Sequence, residues 1–195
     1  LARTQAADYD ERRAEIVDAA ASLYARHGFA AASVADLAAA LGASKSLIYH
    51  YYPSKEEILF EVMDQHLRRL AEAQDAVMAM ELPPADKLRA IAHAFMRLYV
   101  GAAARHKVLL NELESLPADR RTEIVRRQRR LIAAVENLLV EIQPRLAEHR
   151  RRPAAMLFFG MINWTHTWFS EGGPASADEV ADLAADLALK GLEGL

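Results

Sequence analysis

Between residues 28 and 57 the chain carries six signals to stop or start a helix. Gly28 can take the left-handed conformation that closes one. Ser33 followed by Asp36 is a capping-box pattern, in which hydroxyl and carboxylate satisfy N–H groups left open at a helix start. Gly42 stops what Ser33 opens, Ser44 begins again, Pro53 closes, and Ser54 with Glu57 repeats the box. The enclosed segments, 33–41 and 44–52, are too short to hold as isolated helices in water. They must lie on each other and on a longer neighbour through Val34, Leu37, Ala38 and Leu41 in one, and Ile48 and Tyr52 in the other. A short helix, the tight turn "GAS" and a second short helix make a helix-turn-helix unit.

The rest of the chain predicts an all-α fold. Alanine, leucine, arginine and glutamate dominate, and apolar positions recur at spacings of three and four. A first helix is expected from about Asp10 to His27, with Ile16, Ala20, Leu23 and Tyr24 on one face. A long fourth helix should run from Ser54 to near Met80, where "ELPPAD" breaks the chain. Further helices are expected near 86–105, 107–115 and 118–149, from Pro153 to about Glu171, and from Ser176 to the end. The expected division is an N-terminal three-helix domain bearing the helix-turn-helix, 1–55, and a C-terminal helical domain, 56–195.

Composition removes several classes of protein. At 195 residues and 52% hydrophobic the chain can bury a sizeable core, and with no cysteine it can form neither a disulfide framework nor a thiolate metal site. No run of about 20 apolar residues offers a membrane span; the most apolar stretch, Met156 to Phe169, is interrupted by Gly160, Asn163, Thr165 and His166. No signal peptide is visible, so a cytoplasmic protein is expected. The seven histidines form no His-x-x-x-His or Glu-x-x-His pair, and there is no Gly-rich phosphate loop or nucleophile elbow. Glu112 and Glu114, two apart on a helix, cannot share a face. Neither enzyme activity, nor a metal, nor a cofactor is expected.

The second short helix opens with Ser44, Lys45, Ser46 and Leu47, followed by Tyr49, His50 and Tyr51. In a helix-turn-helix this end meets base edges in the major groove. Lys45 can neutralise a phosphate, Ser46 can hydrogen-bond a base edge, Leu47 can touch a thymine methyl, and the tyrosine hydroxyls can donate to phosphate. Lys55 and the Ser33 cap can grip the backbone on either flank. The plain alternative is a set of ordinary caps and surface aromatics on a helical bundle that binds other proteins. The net charge of −3 decides little between these, since a small local surface suffices for DNA.

The run "HGF...SVADLAAALGASKSLIYHYYPSKEEIL" resembles the N-terminal domain of TetR-type repressors (the tetracycline-repressor family), over residues from about 10 to 60. The helix lengths and order beyond residue 60 agree with that family's all-α ligand-binding and dimerising domain. The resemblance implies a homodimer that binds a palindromic operator in double-stranded DNA and releases it when a small molecule enters the C-terminal domain. By position, the family's DNA contacts fall on Ser33, Ser44, Lys45, Ser46, Leu47, Tyr49, His50, Tyr51 and Lys55. Leu47 is apolar where many relatives are polar, which leaves open the base read there.

In such a protein the last two helices are expected at the dimer interface, with Val180, Leu183, Ala184, Leu187, Gly191 and Leu192 on one face of the final helix. In "FFGMINWTHTWFSEGG", 158–173, Leu157, Met161, Trp164 and Trp168 form an apolar stripe that suits core and interface. A sharper reading puts Phe159, Asn163 and Trp164 at the wall of a ligand pocket. Met63, Phe95, Tyr99, Leu110, Asn111 and Glu114 would line other walls, because the family's pocket lies among those helices. The pattern Asn-Trp-Thr, Trp-Phe, Gly-Gly-Pro resembles a subgroup controlling catabolism of acyl-CoA-linked fatty acids, aromatics and sterol fragments. Residues 120–130, "RRTEIVRRQRR", hold six arginines against one glutamate. Of these, Arg120, Arg121, Arg127 and Arg130 are candidates to meet CoA phosphates, against the alternative of a solvated face. The competing effector class is a hydrophobic, drug-like ligand controlling an efflux or stress operon.

Overall fold

The computed structural model describes the backbone of residues 2–194 and the side chains of residues 8–194. Among the described residues there are nine α-helices and no strand. They are α1 (Ala2–His27), α2 (Val34–Ala40), α3 (Lys45–Tyr51), α4 (Lys55–Met78), α5 (Pro84–Gly101), α6 (Ala103–Asn111), α7 (Ala118–Ile142), α8 (Glu148–Asn163) and α9 (Ala177–Glu193). Short 3₁₀ turns, Leu113–Ser115 and Trp164–Thr167, follow α6 and α8. The chain divides into two compact units, one of residues 1–66 and 104–124, the other of residues 67–103 and 125–195.

In the first unit the punctuation acts as its chemistry requires. The Tyr24 carbonyl accepts from the N–H of Gly28, whose φ of +79° is the left-handed cap. Ser33 and Asp36 close a complete capping box on α2, and Gly42 (φ +60°) turns the chain toward Ser44, whose hydroxyl accepts from the N–H of Leu47. At α4 only half of the second box forms. The Ser54 hydroxyl accepts from the N–H of Glu57, but both Glu57 carboxylate oxygens accept from Arg120 at 2.7 Å. α2 packs on α1 and on α3. Ile16, Val17 and Ala20 of α1, Leu37 of α2, Ile48 of α3, and Ile58, Val62 and Met63 of α4 are fully buried in this unit.

The second unit is built on α5, α8 and α9, which pack against one another. Leu88, Ile91, Phe95 and Met96 line the inner face of α5, Ala181, Ala184 and Ala185 that of α9, and Ala155, Phe158, Phe159 and Ile162 that of α8. Alanines let the α9 backbone come close, and the aromatics of the other two helices fill the volume.

Several boundaries differ from those expected. α1 begins at Ala2 rather than near Asp10. α7 stops at Ile142 because Gln143 precedes Pro144, and a residue before proline is steered out of helical geometry. Pro153 lies inside α8, where the carbonyl it leaves unmet belongs to exposed His149 and is open to water. The helix expected to reach Glu171 tightens after Asn163. There the hydroxyls of Thr165 and Thr167 donate to the carbonyls of Ile162 (2.5 Å) and Trp164 (2.8 Å), and the His166 imidazole bonds the carbonyl of Asn163 (2.8 Å). Such three-back bonds compete with the α-helical ladder and favour a 3₁₀ turn.

Candidate nucleic-acid interface

α3 has one buried face and one open one. Ile48 is 0% exposed and Tyr52, just past its end, 3%, so both inward positions expected from the spacing lie in the core. Arg13 holds Tyr52 in place: its Nε donates to the Tyr52 hydroxyl at 3.2 Å and its guanidinium lies 4.9 Å from the ring centroid. Burial raises the Tyr52 pKa, and the Arg13 contacts only partly offset that, so the phenol stays neutral and polar at the foot of the helix.

On the other face Ser44, Lys45, Ser46, Tyr49 and His50 are exposed, and Leu47 and Tyr51 half-exposed. Lys45 and Tyr49 share an open cleft of about 540 Å³ with Ser33, Val34, Ala35, Ser54, Lys55 and Glu56. One surface thus joins the starts of α2, α3 and α4, three places where backbone N–H groups and hydroxyls gather.

Besides Ser44, several of the expected contact residues have partners within the chain. The Ser33 hydroxyl and N–H donate to the Asp36 carboxylate at 2.6 and 2.9 Å and hold it below its usual range, while the hydroxyl accepts from the Asp36 N–H. The Lys55 ammonium donates to the carbonyl of Phe29 and lies 4.0 Å from that ring's centroid. The Tyr51 ring packs at 4.8 Å on Tyr9 of α1, which also meets His50 edge-on. Tyr9 is a member of this surface that the sequence reading missed. Its place one helix away gave no local signal.

The residues expected around an effector divide between the two units. In the second, Phe95, Tyr99 and Phe159 form a buried cluster, with centroids of Tyr99 and Phe159 at 5.9 and 6.0 Å from that of Phe95. Burial pushes the Tyr99 phenol far up. Asn163 is half-buried beside them in sequence, but Trp164 is 64% exposed and does not belong to that core. Arg127 and Arg130 line a groove of about 200 Å³ with Leu67, Arg68, Ala71, Glu72 and Asp75, and Arg130 reaches Asp75 at 2.8 Å. In the first unit Met63 is core, Leu110 half-buried, and Asn111 and Glu114 exposed. Arg120 is held by Glu57 and lies over the Phe60 ring at 4.5 Å, and Arg121 is paired with Glu114. These two guanidiniums already serve carboxylates of their own chain.

On α9 Leu183 and Leu187 are more than half exposed, Gly191 is exposed and Val180 half-buried, whereas Ala184 and Leu192 turn inward. Ala184 follows Leu183 around the helix onto the face that meets the rest of its unit. Met156 and Leu157 of α8, and Trp164 and Trp168 after it, are exposed as well. Two helices that pack together therefore present an apolar surface to solvent.

A helix-turn-helix with an open, basic and aromatic reading face, followed by an all-helical second part, defines a DNA-binding transcriptional regulator. Residues 16–62 match the family described as "Bacterial regulatory proteins, tetR family", and residues 81–192 match "Tetracyclin repressor-like, C-terminal domain". The chain belongs to the TetR family. A TetR-family transcriptional regulator from Bordetella parapertussis is 36% identical with a TM-score of 0.88, over 94% of this chain and 96% of that one. The transcriptional repressor KstR2 of Mycolicibacterium smegmatis is 26% identical over 93% of this chain and 90% of its own length. AibR, solved in complex with isovaleryl coenzyme A and operator DNA, shares the fold at a TM-score of 0.82 and 24% identity, over 90% of this chain and 97% of that one. Among the described residues no helix is long and apolar enough to cross a membrane, and no three His, Cys, Asp or Glu side chains gather as a metal site.

Proposed function

We propose that the chain is a homodimeric repressor that binds a palindromic operator through α3 and leaves it when a small molecule binds the second helical part. The observation that carries this reading is the two-sided character of α3: Ile48 and Tyr52 lock one face, and Ser44, Lys45, Ser46, Tyr49 and His50 are open on the other. Lys45 and Tyr49 contact phosphate, and Ser46 and Leu47 face base edges. His50 and Tyr51 flank them, and Ser33 and Lys55 act at the rim, in part by fixing the turns that bear the contacts. A protein of this kind acts where its DNA is, in the cytoplasm. Replacing Lys45 and Tyr49 together by alanine should abolish tight operator binding while thermal stability and oligomeric state stay unchanged. Normal operator affinity in the double variant would remove these residues from the interface.

The effector we infer is an acyl-CoA from fatty-acid, aromatic or sterol catabolism. The buried Phe95, Tyr99 and Phe159 suit an acyl chain, and the Arg127 and Arg130 groove offers phosphate two guanidiniums, of which Arg130 already bonds Asp75. The AibR complex supports the effector class to the extent that this fold accommodates a CoA thioester. A second reading, a hydrophobic drug-like effector, gains from the carboxylate partners of Arg120 and Arg121, which leave those guanidiniums less available to an anion. Release follows if the effector prefers the form of the protein that does not fit the operator. Fluorescence anisotropy on operator DNA, titrated with long-chain, aromatic and short-chain acyl-CoAs beside their free acids, separates the two. Release by a thioester but not by its acid selects the CoA reading; indifference to every CoA compound selects the other.

A further inference from the structure

The reading surface is carried on turns, and the turn between α1 and α2 is tied down from outside the helix-turn-helix. Glu112, in the link between α6 and the 3₁₀ turn, accepts a hydrogen bond from the N–H of Phe29 through Oε1 at 3.1 Å. Its Oε2 accepts from the Ser115 hydroxyl, also at 3.1 Å, which orients the carboxylate. The next peptide group is gripped by Lys55, which donates to the carbonyl of Phe29. The ring is wedged between the Lys55 ammonium and an edge-on Tyr24. Gly28, immediately before it, has a φ of +79°, and a Cβ there would stand 3.5 Å from Glu112 Oε1. A residue in this turn therefore bonds α4 through its C=O and the α6 link through its N–H. Ser33, the cap of α2, follows four residues later.

We propose that Glu112 is a positioning residue for operator recognition: by holding the Phe29 N–H it fixes the α1–α2 turn, and with it the placement of α2 and α3 as a pair. This rests on the DNA-binding reading above. Glu112 touches no DNA in this scheme and acts only through Phe29. Two arginines give the link a firm base. Arg105 of α6, nearly buried, donates to Asp18 of α1 at 2.6 and 3.1 Å and to Gln65 of α4 at 2.8 Å. Arg120 at the start of α7 forks onto Glu57 of α4. The segment from α6 to early α7 is thereby a brace, and Glu112 is its contact with the turn that leads into the recognition helices. A half-buried charge-assisted bond of this sort is directional, so its loss widens the range of turn geometries even where the fold survives.

The test compares wild type, Glu112→Ala and Glu112→Gln on a duplex selected by the wild-type protein from a randomised pool, and on a scrambled duplex of equal length. Glutamine keeps an acceptor for the Phe29 N–H and can donate to the Ser115 hydroxyl, so it should behave as wild type. Alanine should weaken binding to the selected duplex about tenfold, the scale of one lost hydrogen bond to a charged group, and leave scrambled-duplex binding unchanged. Amide hydrogen exchange at Phe29 should accelerate in the alanine variant alone. Unchanged selective affinity in Glu112→Ala would overturn the proposal. So would a loss that glutamine fails to restore, or an equal loss on both duplexes. Lys45→Ala with Tyr49→Ala serves as the control. If that pair also binds normally, or if the selection enriches no sequence, the failure belongs to the DNA-binding reading and not to Glu112.

Discussion

Gly28 is constrained by its backbone. Its positive φ disfavours any side chain, while a methyl group there would meet Glu112 Oε1 only at an ordinary contact distance of 3.5 Å. Gly28→Ala should cost about 1–2 kcal/mol, the ordinary penalty for an L-residue in the left-handed region, read as a lower urea midpoint with an unchanged slope. The helix stop at Gly28 was legible in the sequence because glycine punctuation is local. So was the inward turn of Ile48 and Tyr52, which follows from a spacing of four. The roles of Tyr9 and Glu112 were not legible, since both act on residues far away in the chain: Tyr9 on His50 and Tyr51, Glu112 on Phe29. Lys55 shows the limit from the other side. Its position suggests a phosphate contact, yet a nearby carbonyl and ring claim the ammonium first. Tyr9→Ala removes the ring behind Tyr51 and should lower stability by about 1 kcal/mol, with operator affinity reduced about threefold to tenfold. A variant that loses stability but binds operator as before would make Tyr9 purely structural.

At the scale of elements, the docking of α9 on α5 combines an apolar seam with a charged edge. His93 of α5 lies between Asp178 (2.9 Å) and Asp182 (2.8 Å) of α9; Arg89 bonds Asp182 and Asp186, and Arg97 bonds Asp178. Partial burial opposes a charge on His93, but the two carboxylates outweigh it and raise its pKa above the ordinary 6.5. The bonds from His93 and Arg89 lower that of Asp182. A raised histidine contributes stability that is complete below the unfolded value and is lost as pH rises through the folded one. A lowered carboxylate contributes above its unfolded value and loses that as pH falls through the folded one. The α5–α9 edge is therefore strongest in mildly acid solution, between the two. The wild-type melting temperature should fall from about pH 6 to about pH 8 by more than that of His93→Asn, which keeps a polar group but cannot titrate. Parallel curves for the two proteins would dissociate His93 from the pH response. The helices were readable from spacing, whereas their ends were set by details weaker than the periodic signal. Pro144 ends α7, and three side chains that bond carbonyls three residues back end α8 early.

For the whole molecule, the exposed apolar surface of α8 and α9 requires an explanation that its own chain does not supply. Leu157 is 72% exposed, Leu183 60% and Leu187 56%, with Trp164 and Trp168 nearby in sequence. Scattered apolar residues on a surface are ordinary; four large ones on two helices that pack together, with two tryptophans just after the first, mark an interaction site. A second copy is the occupant that fits the palindromic operator proposed above, because one seven-residue recognition helix has few contacts and two held together multiply their affinities. Leucine at 183 and 187 projects from the same face one turn apart, so a carboxylate at each would set like charges against each other across a two-fold interface. On the homodimer proposed above, the wild type should sediment as a dimer and Leu183→Glu with Leu187→Glu as a monomer at the same concentration. The variant's helical content should be unchanged, because neither side chain contributes to the core of its own unit. Operator binding should then fall by more than about a hundredfold, while affinity for a single half-site, already weak, remains as it was. If the variant stays dimeric, the face formed by α8 and α9 is not where two copies meet, and the exposed tryptophans must answer to another partner.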